Sequence, residues 1–386
     1  MVKQNIPYPS LDTPAVLVDL NKLEANINEA QRLAAIAEVK VRPHGKCHEC
    51  AEITKMQIKA GAIGVSSAKL EEAERMAEEG IEDIMVLHPF YGDHKLEKLK
   101  RLVTRPKLKL SCVVDMVEHA EGVSQVGQAI GRKIPVLLKI DTGVKRFGVL
   151  PGEPALKRAK EIYQMPGIEL VGIIAHESTH GERTAEGVDR VSREVPALIA
   201  ATARLLRNNG IEIKDVALGS TPSLRNVPIL KDFPEITEIH PGMYIFGDMM
   251  YVSNFAMTED QCSLSVLVTV IGTYTTPPPR AVIDAGGKTF TPEVLLHLRG
   301  EPGYFWEGRP RFGRVKGRPD LWFGRLPAEN GLLYFTDLNK KVNLGERLEI
   351  IPNNASMVVS IHDEIYGVRN GVVEKVFKIT GRGLGN

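Results

Sequence analysis

The chain reads as a (β/α)8 barrel followed by a second, mostly antiparallel β domain. Three observations predict this. Eight strand-like runs, near 38–43, 62–66, 83–87, 107–114, 134–140, 169–175, 213–218 and 236–240, mostly alternate with helical patterns. Each run is nearly continuous in apolar residues, as strands covered on both faces are. After about residue 250 the rhythm changes to short runs rich in Val, Ile, Leu and Tyr, parted by Gly, Pro and Asn turns. Eight βα repeats are the count of a closed barrel. A doubly wound sheet would more often carry a glycine fingerprint after its first strand, and none is present. The barrel is expected over 20–250 and the β domain over 1–19 plus 251–386.

Taken in order, Pro14 to Asp19 reads as a strand outside the eight, available to pair with the C-terminal domain. Residues 21–37 read as a helix, with Asn21 as its cap and Leu23, Ile27 and Ala30 on one face. Helical patterns then include Lys69–Glu79, closed by Gly80, and Arg183–Asn208, closed near Gly210. In the C-terminal part, 264–275, 280–285, 332–337, 346–351 and 357–377 read as strands. Turns at Asn343-Leu344-Gly345 and Arg369-Asn370-Gly371 separate them. The segment 276–330 holds Pro277-Pro278-Pro279 and a Gly/Arg/Pro-rich run, so it is expected to be loop-heavy.

The 49 basic and 48 acidic side chains leave a formal charge of +1, so no field steers the chain toward nucleic acid or an anionic membrane. No apolar run is long enough to span a bilayer. Met1 to Leu11 has no apolar signal core, so a cytoplasmic location is expected. Cys47 and Cys50 form a CxxC, but no second CxxC exists to complete a zinc site. With Cys112 and Cys262 they are read as reduced thiols.

In a barrel of this kind the chemistry sits where the strands end. Val39-Lys40-Val41-Arg42-Pro43-His44-Gly45-Lys46 alternates apolar and polar residues, stops at a proline and then presents a lysine. A loop lysine is by default solvated surface. Just past a barrel strand, a partly desolvated amine is also a mount for Schiff-base chemistry. The other strand ends carry Ser66-Ser67, His88, the Asp141–Arg146 segment, His176 to His180, Gly219-Ser220-Thr221 and Pro241-Gly242-Met243-Tyr244. The last two follow strands seven and eight, the usual place for a phosphate in a barrel. Small residues with free N–H groups and hydroxyls suit a phosphate dianion. A phosphate cup together with a strand-end lysine fits pyridoxal phosphate.

The residues that make this specific are Leu11-Asp12-Thr13-Pro14, Arg42-Pro43-His44-Gly45-Lys46-Cys47-His48-Glu49-Cys50, Gly61 to Val65 and Lys139-Ile140-Asp141-Thr142-Gly143. Arg146, Gly148, Pro241 to Tyr244, Asp248, Asp284-Ala285-Gly286 and Pro352-Asn353 continue the set. With them the chain resembles the fold-type III pyridoxal phosphate enzymes, the alanine-racemase-like barrels. Within these it is similar to the D-threonine aldolase and D-serine dehydratase group. The resemblance implies that Lys46 holds the cofactor as a Schiff base and that His44 orients the site. It implies that Arg146 sits beside the ring oxygen, and that Gly219, Ser220, Thr221, Gly242, Met243 and Tyr244 surround the phosphate. It also implies a small-molecule amino-acid substrate and a homodimer.

One segment departs from the family. Its aldolases and dehydratases carry Pro-Asn-His-x-Cys or Pro-Asn-His-x-Asp, which gives two ligands to a divalent metal. This chain has Pro352-Asn353-Asn354-Ala355-Ser356, and the family's Glu-His-Gly appears as Glu329-Asn330-Gly331. Amide and hydroxyl are poor ligands beside imidazole, thiolate or carboxylate, so no metal is expected. His362-Asp363 is read as structural, on a strand. Three functions stay open. One is an aldolase-like lyase for β-hydroxy-D-amino acids, with His176 or His180 as base and Lys46 handling the Cα proton. The second is a metal-independent racemase or epimerase. The third is a non-catalytic cofactor-binding protein.

Overall fold

The computed structural model describes residues 6–177, 182, 184–219, 221–295, 303–340 and 342–384. Contacts divide the chain into two compact units. One comprises Ile27–Tyr244 with Asn254–Ala256 and Leu384–Asn386; the other comprises Met1–Asn26, Ile245–Ser253 and Met257–Gly383.

The elements run β1 (Ala15–Asp19), α1 (Leu20–Ala37), β2 (Lys40–Val41), α2 (Ala51–Lys59), β3 (Val65–Ser67), α3 (Leu70–Glu78), β4 (Asp83–Val86) and α4 (Asp93–Val103). They continue with β5 (Lys109–Val114), α5 (Val117–Ala129), β6 (Ile134–Ile140), α6 (Glu153–Tyr163), β7 (Ile168–His176), α7 (Ala185–Asn208), β8 (Asp215–Gly219) and β9 (Glu238–Ile239). Strands β2 to β9 are all parallel and stand in the order β2-β9-β8-β7-β6-β5-β4-β3. The ring closes between β2 and β3. Ile63 N–H donates to the Val41 carbonyl at 3.0 Å, Ser66 N–H to the Pro43 carbonyl at 2.8 Å, and His44 bridges Ser66. The eight predicted runs are the eight strands.

Alternate residues of each strand go to different cores, because successive side chains point to opposite faces. Ile84, Cys112, Val136, Leu138, Ile173, Val216 and Leu218 pack outward in the cluster shared with the helices. Met85, Leu87, Val113, Leu137, Ile174 and Ala217 form a separate plug inside the ring. The plug sets the parity of the strand ends. Lys139, His176 and Gly219 point inward, and Glu177 points outward. Below the plug, Arg42 of the β2 end is paired with Asp83 of β4 at 2.5 Å and with Glu238 of β9 at 3.1 Å.

The second unit adds α8 (Met249–Ser253), β10 (Leu264–Tyr274), β11 (Arg280–Ile283), α9 (Gly287–Phe290), β12 (Phe305–Trp306), β13 (Arg309–Pro310), β14 (Gly313–Val315) and β15 (Leu321–Arg325). It ends with β16 (Gly331–Phe335), β17 (Arg347–Pro352), α10 (Ala355–Ser360), β18 (Glu364–Arg369) and β19 (Val372–Lys378). The sheet order is β11-β16-β15-β14-β17-β10-β1-β18-β19, and β11 also pairs with β10, so six antiparallel strands close on themselves. The predicted strand before the barrel, β1, lies between β10 and β18.

Four local expectations are corrected. The cap of α1 is Asp19, not Asn21: its carboxylate accepts from the N–H groups of Asn21 and Lys22 at 2.9 and 3.1 Å. The carboxylate two residues earlier stands just before the helix, where it reaches the free N–H groups of the first turn. Residues 357–377 are not one strand run; they start inside helix α10. The loop-heavy 276–330 segment contains β14 and β15, because neighbouring strands supply the ladder its own composition does not advertise. His362 and Asp363 stand in the turn after α10 rather than on a strand. There His362 Nδ1 meets the Val358 carbonyl at 2.7 Å and Asp363 pairs with Arg382.

Candidate active site

Strand β2 stops at Val41, and Pro43, which has no N–H, offers only its carbonyl to Ser66. The next residue is held on both sides, because the His44 N–H donates to the Pro241 carbonyl at 2.9 Å. A short 3-10 turn, Gly45–Cys47, follows, and in it Lys46 is exposed while its neighbours are buried. The expectation of a partly desolvated amine is not met by this chain alone. The turn carries the side chain off the packed wall of the ring.

The barrel end that carries Lys46 also holds His44, His88 and His240, all with pKa values lowered by burial. His44 Nδ1 lies 3.0 Å from the Ser66 carbonyl, so this nitrogen carries the proton and Nε2 keeps its lone pair. The Lys46 N–H at 3.4 Å from the same atom is then not a true hydrogen bond. Burial first, and the Lys46 charge next, hold the His44 ring well below its ordinary pKa. His88, stacked on Phe147 at 5.3 Å, is held down to about 4 by burial and then by Arg146. His240 is buried, and neither ring nitrogen has a hydrogen-bond partner among the described residues; its nearest charge is Glu238 at 3.7 Å. Burial lowers its pKa against the pull of that carboxylate.

The cations come from β6 and the loop after it. Lys139 is buried inside the ring, and burial, then Arg146, push its pKa down to about 8. Asp141 Oδ1 accepts from the N–H groups of Gly143 and Lys145 at 3.0 and 3.1 Å, which coils the loop. The Thr142 hydroxyl donates to the His176 carbonyl at 2.7 Å and ties it to β7. Gly148 has φ +113°, and a Cβ there would lie 2.6 Å from the Asp141 nitrogen. Its N–H donates to Asp115 at 2.8 Å. The loop thus presents Arg146 in a defined place. Lys139, Arg146 and His176 line one small cavity.

The loops ending β8 and β9 meet each other. Gly242 N–H donates to Thr221 Oγ1 at 3.1 Å, and a Cβ on Gly242 would lie 2.5 Å from Cys47 Sγ. Gly242 is therefore the backbone that the turn carrying Lys46 packs against. Met243 is buried, and the Tyr244 hydroxyl accepts from Gln57 Nε2 at 3.0 Å. The Tyr244 phenol is committed to the core, and only its main chain faces the loop. Ser220 and His180 lie outside the described residues. Sequence reasoning missed Lys139, Asp115 and His240 as site residues. The signal for Lys139 was available: a lysine inside the apolar run Leu137-Leu138-Lys139-Ile140.

In the other unit, Asn354 is the cap of α10. Its side-chain oxygen accepts from the Met357 N–H at 3.2 Å and from the Ser356 hydroxyl at 2.9 Å. Asn353 Nδ2 donates to the carbonyls of Glu293 and Arg311 at 2.9 and 2.6 Å. Among the described residues no three His, Cys, Asp or Glu side chains come together as metal ligands.

The family model for the alanine racemase N-terminal domain matches residues 18–250, and that for a serine dehydratase domain matches 263–368. The chain belongs to the alanine racemase N-terminal-domain family. It is 32% identical over 384 residues to a D-threonine aldolase of an Arthrobacter species, covering 98% of this chain and 94% of that one. It is 28% identical over 389 residues to a 3-hydroxy-D-aspartate aldolase of Paracoccus denitrificans, covering 97% and 93%. The crystal structure of D-threonine aldolase from Filomicrobium marinum superposes with a TM-score of 0.87 at 28% identity over the whole of both chains. The family is one of pyridoxal phosphate enzymes, and the residues at the barrel mouth fit that group. An exposed lysine, a tight glycine cradle beside Thr221, and a buried histidine whose nitrogens have no hydrogen-bond partner among the described residues stand at one end of one barrel. No described helix is long and apolar enough to cross a membrane.

Proposed function

We propose that this chain is a pyridoxal phosphate-dependent lyase that cleaves the Cα–Cβ bond of β-hydroxy-D-amino acids without a transition metal. The observation that carries the reading is the exposed Lys46 on the barrel end where the Gly219–Thr221 and Gly242 loops meet. Bound there, the cofactor supplies an electron sink for the pair released at Cα. Lys46 would hold the cofactor through its amine and, released from it, would hold the proton to be moved at Cα. Thr221 and the small residues beside it would hold the phosphate. Arg146 and Lys139 would supply positive charge beside the bound cofactor, while burial lowers the pKa values of His44, His88 and His240. His176, inward at the end of β7, takes the β-hydroxyl proton as general base.

Asn354 and Ser356 spend their oxygens on a helix end. A neutral amide and a hydroxyl lack the charge and softness to hold a transition metal against water. The same observation favours a second reading, a metal-independent racemase or epimerase, because Cα proton exchange needs no grip on a β-hydroxyl. A homodimer is proposed as the active unit on the family resemblance; the exposure of Lys46 in one chain supports it. The deciding experiment incubates the purified protein with D- and L-β-hydroxy amino acids in D2O, with and without EDTA, and follows products by NMR. Glycine plus aldehyde in EDTA supports the lyase. Deuterium at Cα with inverted configuration and no aldehyde moves the assignment to racemase. Silencing by EDTA with rescue by Mn2+ overturns metal independence.

A further inference from the structure

Glu177 is the first residue beyond β7, at the reacting end, and by strand parity points out of the ring. It is buried, at 5% exposure, yet no cation lies against it among the described residues. Its N–H extends the ladder by donating to the Gly219 carbonyl at 3.0 Å. Its carboxyl is bonded to the hydroxyl of Ser223, two residues beyond Thr221. The walls around it come from Ser192 of α7, Leu218 of β8, Asn226 and Val227 of the turn after Ser223, and Ile239 of β9. None of these is charged. The space beside it is about 10 Å3, room for at most one water. On the same elements, Asn226 donates to Asp189 of α7 at 2.8 Å and Arg225 pairs with that carboxylate at 2.8 Å.

We propose that Glu177 is a positioning residue of the phosphate loop, acting as a neutral carboxyl that clamps Ser223 and makes cofactor retention proton-linked. The proposal rests on the cofactor reading above. Burial pushes its pKa up to about 7, with the Ser223 hydroxyl pulling the other way. Ionised, the carboxylate would stand with no cation among the described residues against it, behind the loop that has to hold a phosphate dianion, and the two charges would repel. Protonated, it ties Ser223 to β7 at no electrostatic cost. By linkage, a cofactor that prefers the protonated protein takes up a proton when it binds.

The test titrates wild-type protein and Glu177→Gln with pyridoxal phosphate at pH 6, 7 and 8, with pyridoxal, which lacks the phosphate, run alongside. If only the protonated form binds and the midpoint is near 7, the wild-type dissociation constant rises about tenfold from pH 6 to pH 8 from this group alone. Glu177→Gln, which keeps a hydrogen bond to Ser223 without a titrating charge, should lose that tenfold, and pyridoxal should show no difference between the two proteins. A wild-type pH slope in Glu177→Gln overturns the proposal. Ser223→Ala removes the bond that favours the ionised form, so it should move the binding midpoint to higher pH; no shift also counts against it. A cofactor-free readout is the unfolding temperature from pH 5 to 8. A carboxyl whose native pKa is raised loses stability as pH rises from its unfolded value through about 7. The wild type should therefore fall relative to Glu177→Gln across that range, and parallel curves overturn the proposal. If borohydride fixes no cofactor on Lys46 in either protein at any pH while the unfolding curves still diverge, the cofactor reading is what fails.

Discussion

Gly242 lies where the strand-eight loop touches the turn that carries Lys46, and it tolerates no side chain as packed. Gly242→Ala would set a methyl 2.5 Å from Cys47 Sγ. It should weaken cofactor retention by roughly 1–3 kcal/mol, the usual cost of overpacking. Adding Cys47→Ala should restore most of it, because the clash is with that sulfur; dialysis followed by absorbance near ~420 nm reads both proteins. Thr221→Ala removes a hydroxyl that already accepts from Gly242 and can donate onward. Its expected cost is roughly 1–3 kcal/mol in cofactor affinity, and an unchanged affinity would take Thr221 out of the cup. Lys46→Ala should abolish borohydride trapping, and trapping at Lys139 instead would move the Schiff base to the buried amine.

Helix α10 shows how one segment can lose a role and keep a fold. Asn354 closes its first turn, so Asn354→Ala should cost about 1 kcal/mol of stability in denaturant unfolding. The double variant Asn354→His with Ser356→Cys should pay the same loss when metal-free. Added Zn2+ should then recover stability through the new imidazole and thiolate. No metal-dependent rise in the unfolding temperature would show that backbone geometry, and not only ligand type, has drifted from a metal site. Asp248 supports the same helix: its carboxylate accepts from the N–H of Ala355 at 3.0 Å and from that of Tyr251 at 3.0 Å.

At the scale of the barrel, ring closure places ionic groups from distant strands in one layer. Arg42, Asp83 and Glu238 come from β2, β4 and β9 and meet below the apolar plug. Breaking a buried pair leaves a charge without its partner, so Arg42→Ala should destabilise by about 3–5 kcal/mol. Burial raises the Glu238 pKa, but His240 and Arg42 outweigh it and hold the carboxyl down to about 2. A depressed carboxyl stabilises above its unfolded pKa and loses that contribution as pH falls through the folded value. Acid unfolding followed by circular dichroism should therefore show stability lost between pH ~4.5 and ~2, and Glu238→Gln should flatten that limb.

The number and order of the eight strands, the strand that joins the second sheet, and the loops that end at Lys46, Thr221 and Gly242 were all legible from apolar periodicity and turn chemistry. These are local properties, because a strand covered on both faces must be apolar throughout and a sharp turn must use small residues. The strand-end lysine with the phosphate loops already fitted pyridoxal phosphate, and the resemblance added the roles of the residues around it. What the tertiary structure decided was pairing and charge. Lys46 is exposed rather than desolvated, burial lowers the pKa values of three histidines at the barrel mouth, and Lys139 is a buried amine with a pKa of about 8. The Tyr244 phenol is spent on Gln57, 187 residues away, and Arg42 pairs with Glu238 across 196 residues. A side chain's protonation depends on the dielectric and the charges that surround it in the folded ring. Those neighbours are set by ring closure and strand parity, which no window of the chain records.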